Sequence, residues 1–157
     1  MYASCFVGFL IIFFYCIIVA IKNKEMPNSI SQTVYMLSEK WKWLFTVVMF
    51  VAAFMIAPQL MTVASAYGCE FLSYLTVAGI LGVGVDPLVK NEKNIIHYAS
   101  AVIMGVSSQT LVLLVNPWFL LSWVPYICYT LYMEDGSKNM FVGEMSMYSN
   151  TCMVCLL

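Results

Sequence analysis

Five charge-free stretches, Met1 to Ile21, Trp43 to Cys69, Phe71 to Val85, Tyr98 to Met133 and Met145 to Leu157, divide the chain, with short polar pieces between them. Such runs mark membrane helices, because a crossing needs about 20 apolar residues and a charge buried there costs several kcal/mol. The stretch from Tyr98 to Met133, 36 residues, is too long for one crossing. Near its middle Asn116-Pro117 is a helix stop followed by a proline suited to a first turn, so the stretch reads as two helices joined by a tight turn. The pattern predicts an all-α polytopic transmembrane bundle of about six helices in one domain, 1-157, with spans near 4–21, 41–64, 70–88, 97–115, 117–133 and 140–157. Glu144, Ser146, Ser149 and Asn150 interrupt the sixth, which rests on length and apolar content alone.

The first loop, Asn23 to Lys40, is the only sizeable piece outside these spans. Ser29 and Gln32 have the spacing of a capping box. Ile30, Val34, Leu37 and Trp41 then recur at i, i+4, i+7 and i+11, one apolar face of a helix. This predicts a short interfacial helix in the first cytoplasmic loop, running into the second span, with Trp41 and Trp43 in the aromatic belt and Trp118 and Trp123 in the opposite half.

Composition agrees. The chain is 62% hydrophobic and 10% charged, with mean hydropathy +0.88, far from the roughly 25% charge of a water-soluble domain. The basic residues are seven lysines, too few for a nucleic-acid surface. Their placement orients the bundle. Lys22, Lys24, Lys40 and Lys42, then Lys90 and Lys93, then Lys138 fall in the odd-numbered loops, while the termini and even-numbered loops hold none. Positive residues stay on the cytoplasmic side, so loops one, three and five face the cytoplasm and both termini face outward, in a bacterial inner or plasma membrane. No positive residue precedes the first apolar run, which therefore reads as a retained helix and not a cleaved signal peptide.

Small residues suggest which helices meet. Ala78 and Gly82 in the third span, and Ala101 and Gly105 in the fourth, form small-xxx-small pairs that permit close backbone approach, so these two spans are expected to pack together. Pro58 and Pro125 lie inside predicted spans and should kink them.

Ionisable residues at membrane depth are the best pointers to function in such a chain. Asp86, His97 and Glu144 all fall near the cytoplasmic face and form a candidate ligand-binding polar cluster, suited to a proton relay or a polar ligand; the plainer reading of Asp86 and His97 is solvated helix ends. Glu144 must find a partner or a wet cavity, so it should face the bundle, with His97 the favoured partner. Glu70 suits a helix N-terminus, and Gln59 and Gln109 suit hydrogen bonds between helices. Among the six cysteines, Cys152 and Cys155 would need Cys5 or Cys69 and a further ligand to bind zinc, so no metal is expected. Cys5, Cys69, Cys152 and Cys155 could form disulfides in an oxidising compartment, or serve as small apolar residues. No phosphate loop, catalytic triad motif or HExxH is present, and neither a cofactor nor catalytic residues are expected.

Pro27-Asn28-Ser29-Ile30-Ser31 in the first loop, His97 with Ala99, Ala101 and Gly105 behind it, and Glu144 early in the last helix together give the chain a resemblance. It is similar to small six-helix membrane proteins of the DRAM/Frag type and their bacterial and phage relatives. The resemblance implies a six-helix fold and lipid-linked or membrane-organising roles, not a reaction. The expected function is to bind a lipid or small ligand, or to support a membrane partner, with lipids and a second copy or another membrane protein as partners. The alternatives are a small transporter or channel subunit, and an intramembrane enzyme using His97 with Asp86 or Glu144.

Overall fold

The computed structural model describes residues 3–88, 95–132 and 139–156, and in them the chain is helical, without a strand. The helices are α1 (Ala3–Asn23), α2 (Thr33–Met36), α3 (Trp43–Ala66), α4 (Glu70–Val85), α5 (Ile95–Val115), α6 (Trp123–Tyr132) and α7 (Asn139–Val154), with 3-10 turns at Glu39–Trp41, Asp86–Leu88 and Pro117–Ser122. Helices stand at all six expected positions, but the fifth, expected over 117–133, is an α-helix only over Trp123–Tyr132. Three helical segments, Ser4–Asn23, Glu39–Ala66 and Ile95–Val115, are long and apolar enough to cross a membrane. The 16 residues of α4 are apolar but shorter.

Helix ends follow local chemistry. Past α3, Gly68 takes φ +65, and the Gly68 and Cys69 amides return to the Ser65 and Ala64 carbonyls. This Schellman closure ordinarily uses glycine because a Cβ opposes the left-handed backbone. The same closure ends α1 with Lys24 in the left-handed position, φ 55, its amide bonded to the Ile21 carbonyl and that of Glu25 to Ala20. After α5 the Asn116 side chain accepts the Trp118 amide, with Pro117 opening a 3-10 turn. That turn occupies the first third of the expected fifth span. Pro125 consequently lies in the first turn of α6, where its missing N–H breaks no intrahelical bond; the expected mid-helix kink there is not found. Pro58 is inside α3, which continues through it.

The first loop also departs from expectation. Ser29 Oγ accepts the Gln32 amide, half of the expected capping box, but the Gln32 side chain accepts from the Asn28 amide instead of its own cap residue. The helix lasts one turn, and Leu37 then adopts an extended backbone, φ −89, ψ 146. Ile30, Val34 and Leu37 are buried and belong to the main core. Burying all three drives the segment against the bundle, and this outweighs the regular helix its spacing permits.

Packing partners define the direction of each helix. Gly8 of α1 abuts Ala52 and Ile56 of α3, and Gly84 of α4 abuts Met49 of α3. Thr76 of α4 bonds Ser107 of α5 at 2.9 Å, while Gly79 and Gly82 lie against Ser100 and Met104 of α5. Consecutive helices are thus antiparallel. Tyr148 of α7 meets Met104 and Val154 meets Val112, so α7 runs parallel to α5, with α6 returning between them. Cys152 of α7 meets Cys5 at the start of α1, closing the last helix on the first. The expected pairing of α4 with α5 is present but through Gly79 and Gly82, since Ala78 is exposed, and Gly105 instead faces Met147 of α7. Lys22, Lys24, Lys40 and Lys42 all lie at the end where α1 finishes and α3 begins; Lys90, Lys93 and Lys138 lie outside the described residues.

The core is mainly apolar, yet polar side chains are buried within it and large apolar ones lie on the surface. Gln59, Ser73, Thr76, Ser107, Ser108, Asn150 and Thr151 are buried, while Phe14, Ile18, Phe54, Phe71, Val102, Val106 and Leu131 are exposed.

Candidate functional site

At the lysine end, Glu144 of α7 turns inward. Its Oε2 accepts the Ile30 amide at 2.5 Å, joining residues 114 positions apart. The loop presents that amide because Ser29 caps the turn behind it and Thr33 Oγ1 donates back to the Ile30 carbonyl at 2.5 Å. A half-buried carboxylate needs such a donor, and a backbone N–H to a charged acceptor is among the stronger hydrogen bonds. The inward orientation expected of Glu144 is found, and the partner it shows is the Ile30 main-chain amide. His97 is half-buried in the first turn of α5, its ring edge-on to Tyr98 with centroids 5.7 Å apart. Asp86 opens a 3-10 turn after α4, and its side chain lies outside the described residues. The structure therefore ties Glu144 to the first loop, and a meeting of all three residues is not among the described contacts.

The role of Glu144 is open to test. Glu144→Gln keeps an acceptor for the Ile30 amide and should leave stability within about 1 kcal/mol of the native protein, whereas Glu144→Ala orphans that amide at a cost of about 1–3 kcal/mol. Amide exchange at Ile30 should rise in the alanine variant alone. Equal exchange in both variants would mean the bond does not hold the loop.

Beside this end a groove of about 610 Å³ runs between α1 and α3, lined by Val7, Leu10, Phe14 and Ile18 on α1 and by Leu44 and Val48 on α3, with Lys22 and Trp41 at its mouth. Around the mouth Trp41 stacks on Trp43, centroids 6.2 Å apart. Lys42 pairs with Glu39 at 2.6 Å and lies 5.8 Å above the Tyr35 ring. The groove is continuously apolar below and cationic and aromatic at one end.

Towards the opposite end a polar cluster joins α5, α6 and α7. Gln109 Oε1 accepts from Trp123 Nε1 at 2.8 Å and from Asn150 Nδ2 at 3.1 Å, and Ser122 bonds Asn150. With its amide turned over, Asn150 donates to the Phe119 carbonyl and accepts from Trp123, so it stays within the cluster either way. Gln109 does connect helices, as expected. Asn150 and Ser122 were not anticipated, although an asparagine breaking an apolar run is the signal that could have found them. Among the described residues no group of three His, Cys, Asp or Glu is placed to hold a metal ion. No family model matches the chain, and neither does a curated protein or a solved structure.

Proposed function

We propose that this chain is an integral membrane bundle of six crossings, its lysine end cytoplasmic and both termini outside, that holds an anionic phospholipid in the groove between α1 and α3. The groove carries the reading. From Val7 to Lys22 it follows ~22 Å of helix at 1.5 Å per residue, the length of an extended acyl chain, and its lining suits hydrocarbon. Lys22 at the mouth supplies the charge for a phosphate, with Lys24, Lys40 and Lys42 at the same end; each basic residue near an anionic surface is worth about 1 kcal/mol. The many exposed large apolar side chains and the hydroxyl pair of Thr76 with Ser107 inside the bundle support the membrane setting, in which exposed Phe and Val meet acyl chains and buried hydroxyls bond one another. Engagement of Gln109 by Trp123 and Asn150 favours binding over a water-lined path.

Mass spectrometry of lipids retained after mild detergent extraction tests the reading. Anionic phospholipid should be enriched over the bulk membrane, and Lys22→Glu or a groove-filling Ile18→Trp should lower it several-fold. Retained lipid that mirrors the bulk and ignores both variants would overturn it.

A further inference from the structure

Three thiols meet at the end of the bundle opposite Lys22, Lys24, Lys40 and Lys42. Cys5, in the first turn of α1, has its Sγ 3.4 Å from that of Cys152 in the last turn of α7, and Cys155 is within hydrogen-bonding reach of Cys5 as well. All three are buried. Cys69 stands apart, its thiol directed at the Ala64 carbonyl. We infer that Cys5 and Cys152 are a disulfide-forming pair that staples the first helix of the bundle to the last. A bond requires the sulfurs to close from 3.4 Å to about 2.05 Å. Both residues lie in terminal helical turns, where fraying opens the thiols to exchange.

The chemistry is thiol–disulfide exchange. The Cys5 thiolate attacks an acceptor disulfide, of an oxidoreductase or a small molecule, forming a mixed disulfide and releasing one acceptor thiolate. The Cys152 thiolate then attacks the Cys5 sulfur, forming the Cys5–Cys152 bond and releasing the second. Two protein thiols are oxidised and the acceptor disulfide is reduced to two thiols. The reaction in the cell rests on the outward placement of the termini proposed above, since that compartment is the oxidising one; the pair itself rests on geometry alone.

Two arms separate these. In the first, purified protein in detergent is treated with oxidised glutathione, free thiols are alkylated, and peptides are mapped without reduction. The Cys5–Cys152 peptide should dominate, four of the six cysteines taking the label, and Cys155→Ser should leave the link intact while Cys152→Ser removes it. Six labelled cysteines, or a dominant Cys5–Cys155 or Cys152–Cys155 peptide, would overturn the inference. In the second arm, cells are alkylated before lysis. The same peptide there supports both the pair and the outward termini, whereas a link formed only after purification keeps the pair and refutes the orientation.

Discussion

Gly79→Ala should destabilise the protein more than alanine at any other glycine between α4, α5 and α7, and Gly79→Leu should prevent folding. A Cβ built on Gly79 would stand 2.6 Å from Met104 Cβ and 2.8 Å from both the Met104 nitrogen and the Ser100 carbonyl oxygen. Two of these are backbone atoms, so α5 as a whole must retreat. At Gly82 the added methyl meets the Ser100 hydroxyl, which can rotate away, and one fixed atom, Ser100 Cβ at 2.8 Å, against three at Gly79, while at Gly105 it meets only the Met147 sulfur, at 3.4 Å. Overpacking a close-packed interface costs about 1–3 kcal/mol and more when nothing can shift. Thermal unfolding in detergent should therefore rank Gly79→Ala below Gly82→Ala, with Gly105→Ala near the native protein. Equal midpoints for Gly79→Ala and Gly105→Ala would contradict the close approach of α4 to α5.

Gln109→Leu should be the most damaging polar-to-apolar change. Trp123 Nε1 donates to its Oε1 at 2.8 Å, so removing the acceptor strands that indole donor at about 1–3 kcal/mol. Asn150→Leu should cost less, because Trp123 keeps its acceptor. Gln109 and Asn150 both stand against Trp123, so the loss in the double variant should differ from the sum of the two. Additive losses in a double-mutant cycle would show that the two side chains do not act on one another.

Where the helices lie could be read directly from the chain, because each apolar run is bounded by lysines, by Gly68 or by Asn116-Pro117, and those residues act on their immediate neighbours. Which side of a helix meets its partner could not. Ala78 and Gly79 differ by about 100° of rotation, and small-residue spacing alone does not choose between them. Spacing also failed where tertiary burial competed with local preference: Ile30, Val34 and Leu37 reach the core by breaking the helix their periodicity describes. The candidate site was half legible. An unaccompanied carboxylate in an apolar run must turn inward, and Glu144 does, but its partner is a main-chain amide that no side-chain pattern advertises. The groove at Lys22 was invisible for a similar reason, as a concavity is a property of two helices and neither sequence alone contains it.

The meeting of Cys5 with Cys152 and of Ile30 with Glu144 also bears on the order of assembly. These contacts span 147 and 114 positions. α1 thus acquires its full set of helix neighbours only when α7 arrives. Until then the face of α1 that carries Cys5 and Cys16 is open to whatever surrounds the growing chain. Local hairpins such as α3 with α4 can form early at small entropic expense, while closure of α1 on α7 waits until both helices are present. Docking of α7 is thereby the step that commits α1 to its final neighbours.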